Sequence, residues 1–227
     1  MELNRVADVD DRVPLRRAIF STSDKRGVNE LAKNLLEICP ELVIYSTGGT
    51  FTSLENYLGA KLSLKHLRKV TEYTGQPEMQ GGLVKTLDYR IYLGLLSETY
   101  NDAHRSDLKR MQVEPFDLVV VNLYPFEQAV ARSSCTVEEG RTHIDIGGPC
   151  LLRAGAKNFL RVAVLSDPAD YPDFVQQVKA NEGCTTLKQR FLLARKVFSL
   201  TSAFDQTISS FFSSLDPETL KEVYTLH

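Results

Sequence analysis

Short apolar runs alternate with segments of helical periodicity along most of this chain. Four runs predict buried strands: residues 15–21, 42–45, 116–121 and 161–165. Between the first two, apolar residues recur every three or four positions from Val28 to Ile38, which predicts a helix capped by Ser23 or Asp24 and ended by Pro40. This alternation predicts an α/β fold with a mostly parallel central sheet.

The remaining segments divide into helices, one further strand and a loop. Apolar spacing predicts a second helix after Gly49 and another from Gly147 to about Asn158. Residues 62–70 are compatible with a strand, and residues 71–82, rich in Gly, Pro and polar side chains, with a long loop. Residues 185–225 predict a helical segment with room for one break, whose apolar face suits a core or a dimer interface.

Composition excludes several classes of protein. The 227 residues carry 27 basic and 29 acidic side chains, so nothing indicates a strongly basic nucleic-acid binder. No apolar run approaches the 18 residues that a membrane-spanning helix needs. Residues 1–14 form a polar lead-in that lacks the apolar core of a signal peptide and could be partly disordered. The four cysteines form no C-x-x-C pair, which indicates reduced thiols in a cytoplasmic protein without a zinc site.

Polar and glycine-rich residues follow the first two predicted strands. Ser46-Thr47-Gly48-Gly49-Thr50 would open a helix, where backbone N–H groups and the helix dipole favour an anion. Lys25, after the first strand, would add a full positive charge at the same edge of the sheet. The stretch predicts a monophosphate cradle, although a plain turn remains open; the triphosphate motif G-x-x-x-x-G-K-[ST] is absent.

Further candidate groups lie at similar junctions. Lys85 and Thr86 follow Gly81-Gly82, and Asp145 and Lys157 lie on either side of Gly147-Gly148. Each has an ordinary alternative, since a lone lysine is commonly a solvated charge and an Asp before a helix is commonly a cap. Tyr124, between a buried strand and Pro125, could belong to the core. Spacing alone therefore indicates an α/β protein that binds a phosphorylated small molecule.

Seven motifs, in order, carry a resemblance that covers residues 15–215. They are SDKRG (23–27), STGGT (46–50), YTGQPEM (73–79), VKTL (84–87), NLYPF (122–126), IDIGGP (144–149) and AKN (156–158). With them the chain resembles the IMP cyclohydrolase domain at the N-terminus of bifunctional purine-biosynthesis enzymes. The resemblance implies a methylglyoxal-synthase-like α/β sandwich over residues 15–227, without the transformylase domain that follows in the family.

The activity that the resemblance implies is closure of 5-formamidoimidazole-4-carboxamide ribonucleotide to inosine monophosphate with loss of water. It implies no cofactor and no metal, a homodimer, and a separate transformylase as a conceivable partner. The catalytic residues it implies are Lys85, Tyr124, Asp145 and Lys157. The substrate-binding residues it implies are Ser23, Lys25, Gly27, Ser46, Thr47, Gly48, Gly49, Thr50, Thr86, Asn122, Ile146, Gly147 and Gly148.

One segment departs from the family pattern. Where the family reads G-R-V-K-T-L-H-P-K-V-H, this chain has Leu83, Asp88 and Tyr92 in place of Arg, His and His. We expect Leu83 and Tyr92 to pack locally, and Asp88 could pair with Lys85 if the segment is helical. Two alternatives to the cyclohydrolase stay open: a paralogue acting on a related phosphoribosyl-imidazole, and a non-catalytic module that binds purine nucleotides.

Overall fold

A parallel sheet of five strands forms the centre of the molecule, in the order β4-β3-β2-β5-β6. The computed structural model describes residues 5–76, 85–132, 135–225 and 227. The strands are β1 (Arg12–Pro14), β2 (Arg17–Thr22), β3 (Val43–Ser46), β4 (Leu67–Lys69), β5 (Leu118–Asn122), β6 (Ala163–Leu165) and β7 (Cys184–Thr186). Strands β1 and β7 pair antiparallel outside this sheet.

Helices cover both faces of the central sheet. They are α1 (Val28–Ile38), α2 (Gly48–His66), α3 (Val70–Thr74), α4 (Tyr89–Leu96), α5 (Asp102–Met111), α6 (Phe126–Val130), α7 (Val137–Thr142), α8 (Gly147–Lys157), α9 (Tyr171–Ala180), α10 (Leu187–Ser214) and α11 (Leu220–Val223). Short 3₁₀ turns occupy Pro168–Asp170 and Pro217–Thr219. No helix in the described ranges has the length and apolar character needed to cross a membrane.

Alternate residues of the central strands enter two separate cores. Phe20 of β2 packs with α1 and α9, whereas its neighbour Ile19 packs on the other face with α4, α8 and α10. All of β5 is buried, which explains why its sequence is apolar without alternation. The α/β class and the parallel sheet that the apolar runs predict are confirmed.

The strand register brings the carboxyl ends of β2, β3 and β5 together. Thr22 lies opposite Asn122, and Phe20 lies opposite Ser46. Because all three strands are parallel, the loops that follow them leave the sheet at the same edge. Residues more than 90 positions apart in sequence therefore meet there.

The structure differs from the predicted elements around residues 62–74. Helix α2 continues to His66, with a non-helical Gly59 inside it, and only Leu67–Lys69 form a strand. Leu62 and Leu64 belong to the helix and face solvent, with Leu64 81% exposed. The start of the predicted loop, through Thr74, is helix α3, and residues 77–82 lie outside the described residues.

Three further details differ at helix and chain ends. Gly27, with a left-handed φ of 68°, occupies the N-cap of α1 instead of Ser23 or Asp24. The Asp24 carboxylate accepts a hydrogen bond from the Arg26 backbone N–H. Helix α10 is continuous to Ser214, and the break that the sequence allowed comes only after it, before α11. Strand β1 lies within the predicted lead-in, where its pairing with β7 orders residues 12–14.

Candidate active site

A cavity of about 590 Å³ opens at the carboxyl edge of the central sheet. Its walls come from the loops after β2, β3 and β5, from Lys85-Thr86, and from the start of α8. The lining residues are Ser21, Thr22, Ser23, Lys25, Thr47, Gly48, Gly49, Thr50, Lys85, Thr86, Asn122, Tyr124, Thr142, His143, Ile144, Asp145, Ile146, Gly147 and Gly148.

Two lysines flank the N-terminus of α2. Gly48 has a φ of +44°, a conformation that L side chains rarely adopt, and a Cβ built on it would lie 3.1 Å from Lys85 Nζ. A Cβ built on Gly49 would lie 3.6 Å from Lys25 Cε. The first N–H groups of a helix have no intrahelical partner, so two ammonium groups and these N–H groups face the same space. This arrangement suits a phosphate.

The loop that carries Lys25 is fixed by side chains from strand β5 and helix α2. Asn122 Oδ1 accepts hydrogen bonds from the backbone N–H groups of Ser23 and Asp24, at 2.7 and 2.9 Å. The Thr50 hydroxyl donates to Thr22 O at 3.0 Å and lies 3.1 Å from Thr22 N, which donates to it. Lys25 Nζ in turn donates to Thr22 O at 3.1 Å. These bonds position the ammonium group without any ligand.

The second helix N-terminus in the cavity is that of α8. Asp145 Oδ1 accepts a hydrogen bond from Gly148 N at 2.9 Å, so its side chain caps this helix from the position before the N-cap residue, Ile146. Burial raises the pKa of the Asp145 carboxyl, and the backbone hydrogen bonds from Gly148 and Gly147 offset this only in part. The group therefore keeps its proton at a higher pH than an ordinary aspartate does.

The side chains of Lys85 and Thr86 lie between the N-termini of α2 and α8. Lys85 Nζ lies beside Gly48 of α2, and a Cβ built on Gly147 of α8 would lie 2.9 Å from Thr86 Oγ1. Lys85, for which the resemblance implies a catalytic role, thus also borders the phosphate cradle. Tyr124 and Ile146 stand at the rim, each more than half exposed.

Most of the predicted site residues line this cavity, and three do not. Ser46 is buried, and its hydroxyl donates to Phe20 O at 2.8 Å inside the sheet. Gly27 is the N-cap residue of α1 and follows the loop that carries Lys25. Lys157 is an exposed residue at the last position of α8. At a rise of 1.5 Å per residue, it lies about 15 Å from Gly147, so this chain does not bring Lys157 to its own cavity.

Five lining residues are not among those predicted from the sequence. Ser21 and Thr22 end β2, and the Ser21 hydroxyl lies 3.0 Å from that of Thr47. The other three, Thr142, His143 and Ile144, directly precede Asp145 and enter the wall with it. Their proximity in sequence to Asp145 was the available signal. Across the described ranges, no group of three His, Cys, Asp or Glu residues is arranged to hold a metal ion.

The segment that departs from the family pattern is helical from Tyr89 onward. Asp88 is buried at the N-cap of α4, where its carboxylate accepts hydrogen bonds from Arg90 N and Gln76 Nε2, each at 2.8 Å. Tyr92 is partly buried within α4, and burial raises the pKa of its hydroxyl. Leu83 lies outside the described residues.

Two family models describe consecutive parts of the chain. The MGS-like domain matches residues 27–150, and the AICARFT/IMPCHase bienzyme matches residues 155–227. The solved structure described as the crystal structure of ForH is similar, with a TM-score of 0.76 and 28% sequence identity. That match covers 87% of this chain and 96% of the ForH chain.

Curated relatives carry the name bifunctional purine biosynthesis protein PurH. The protein of Gloeothece citriformis is 44% identical over 203 residues, which cover 89% of this chain and 38% of the relative. The protein of Magnetococcus marinus is 41% identical over 216 residues, covering 93% and 39%. The chain therefore spans about two-fifths of the length of these relatives. These matches confirm the family resemblance that the seven motifs carry.

Proposed function

Since this chain belongs to the family of MGS-like domains and continues into a segment that matches the AICARFT/IMPCHase bienzyme, we propose that it is an IMP cyclohydrolase. It would close 5-formamidoimidazole-4-carboxamide ribonucleotide to inosine monophosphate, with release of water. The PurH names of its relatives support the same assignment. Its four cysteines are all free thiols, which suits the proposed cytoplasmic location.

One observation carries the proposal: the N-termini of α2 and α8 open on the same cavity, with Lys85 against the first and Thr86 against the second. The α2 end, with Lys25, would hold the 5′-phosphate. The imidazole would then extend toward α8, where Asp145 and the Thr86 hydroxyl meet it. Tyr124 at the rim would cover the base.

The reaction is well served by such an arrangement. Closure forms one C–N bond, between the carboxamide nitrogen and the formyl carbon of the same molecule. Holding these atoms in contact removes much of the entropic barrier, up to about 7–11 kcal/mol in well-oriented cases. The released water contains the formyl oxygen, one hydrogen from the carboxamide nitrogen and one hydrogen from the formamide nitrogen.

The α8 end of the cavity would manage the charges that develop. The formyl oxygen becomes an anion as the C–N bond forms, and the Thr86 hydroxyl is proposed to donate to it. Burial raises the pKa of the Asp145 carboxyl, and this group is proposed to accept the proton of the formamide nitrogen. Lys85 contributes positive charge between phosphate and oxyanion.

We also propose that two copies associate through the outer faces of α8 and α10. Phe191 and Phe198 are 46% and 42% exposed there, and the Arg153 guanidinium lies 5.6 Å from the centre of the Phe198 ring. Lys157, four residues after Arg153, shares its helix face. Sedimentation of the wild-type chain should show a dimer that Phe198→Glu weakens, and a monomer for both would contradict the association.

The decisive test is a direct assay with the formylated ribonucleotide, following the ultraviolet change as inosine monophosphate forms. We expect turnover by the wild-type chain and loss of about 10²-fold or more in Asp145→Asn, with product affinity nearly unchanged. Tight binding of inosine monophosphate without turnover would instead support the non-catalytic nucleotide-binding module.

A further inference from the structure

His143 lies on the cavity wall two residues before Asp145 and immediately after α7. Helix α7 begins with a capping box, in which the Thr136 hydroxyl accepts from Glu139 N and the Glu139 carboxylate accepts from Thr136 N. The carbonyl oxygen of the same Glu139 lies 2.7 Å from His143 Nδ1. The imidazole is therefore held by an ordered helix and not by a free loop.

That contact determines which ring nitrogen carries hydrogen. A carbonyl oxygen only accepts hydrogen bonds, so Nδ1 must be the protonated nitrogen. In the neutral ring, Nε2 then holds a lone pair. Among the described residues, Nε2 forms no hydrogen bond, and His143 is part of the cavity lining.

The proposed reaction needs more proton transfer than Asp145 alone provides. Two hydrogens leave two different nitrogens, and both depart with the formyl oxygen. Asp145 already uses one oxygen to cap α8 at Gly148. A second group with a free lone pair on the same wall would let each nitrogen have its own proton acceptor.

Resting on the proposed function, we propose that His143 Nε2 is a catalytic proton shuttle for the carboxamide nitrogen. As the nitrogen lone pair forms the C–N bond, its proton moves to Nε2 and the carbonyl π electrons move to the formyl oxygen. The imidazolium then returns that proton to the oxygen, which makes a hydroxyl. The hydroxyl leaves as water with the formamide proton, a C=N bond forms, and the imidazole is neutral again.

The test compares His143→Asn and His143→Ala with the wild-type chain in the ring-closure assay. Asn keeps a side-chain N–H that can reach the Glu139 carbonyl but lacks a second nitrogen base. We expect both variants to lose about 10²-fold in kcat with KM within about twofold. Added imidazole should restore part of the kcat of His143→Ala. His104→Asn, in α5 and outside the cavity lining, is the matched control and should keep wild-type kcat.

Several outcomes would overturn the shuttle. They are a kcat for His143→Asn within threefold of wild type, a loss confined to KM, and no response of His143→Ala to imidazole. Melting curves of all variants identify any loss caused by unfolding, and His143→Gln, with an amide near the Nε2 position, then supplies the comparison. An inactive wild-type chain would overturn the proposed function and this step together, whereas an active His143→Asn overturns this step alone.

Discussion

Replacing Lys25 with alanine tests whether the N-terminus of α2 binds a phosphate. Lys25 Nζ lies 3.8 Å from a Cβ built on Gly49 and donates to Thr22 O. That oxygen also accepts from the Thr50 hydroxyl, so the substitution leaves it hydrogen-bonded. Because Lys25 itself is exposed, we expect little change in the free energy of unfolding.

The effect on binding follows from the charge that is removed. A charge-assisted hydrogen bond contributes about 1.5–3 kcal/mol, which corresponds to a loss of roughly 10- to 150-fold in affinity. Solvent screens an exposed ammonium group, so about tenfold is expected at 0.1 M salt, with a larger loss at low ionic strength. The nucleoside lacks the phosphate and should bind the wild-type chain and the variant equally weakly.

Calorimetry with inosine monophosphate and with inosine would measure these affinities. Lys33→Ala is the matched control, because it removes an exposed lysine from α1. Unchanged affinity of Lys25→Ala for the nucleotide would refute the phosphate assignment. So would an equal loss for nucleotide and nucleoside, which would mean that Lys25 contacts another part of the ligand.

Two further predictions concern groups whose pKa is shifted by burial. Burial raises the pKa of the Asp145 carboxyl above the ordinary 3.8, so its anionic form is lost at a higher pH than usual as the pH falls. A pH profile of kcat/KM should therefore fall on its acid side in this range. The residual activity of Asp145→Asn should not show this fall. The second prediction concerns Arg161, which is buried, donates to Phe116 O and Gly94 O, and forms an ion pair with Asp117 at 3.1 Å. Burial lowers the pKa of Arg161 and raises the pKa of Asp117. Arg161→Met leaves these buried oxygens without a donor and should lower the free energy of unfolding by about 3–5 kcal/mol. Calorimetry should show a thermal midpoint lowered by roughly 6–20 °C, and a shift under 2 °C would contradict the prediction.

The amino-acid sequence by itself determined the architecture and most of the candidate site. Apolar runs such as residues 116–121 are buried on both faces, which requires a parallel sheet covered by helices. A parallel sheet sends the loops after its strands to one edge, so Lys25, Thr47 and Asn122 could be expected to meet. Local glycine and hydroxyl patterns then identified the α2 and α8 N-termini.

Only the tertiary structure decided the direction and distance of individual side chains. Ser46 belongs to the same motif as Thr47, but it is the last residue of β3 and its hydroxyl bonds inside the sheet. Lys157 is separated from Gly147 by the length of α8, a distance that motif order does not reveal. Such positions depend on register, helix length and contacts between distant residues, which local periodicity does not encode.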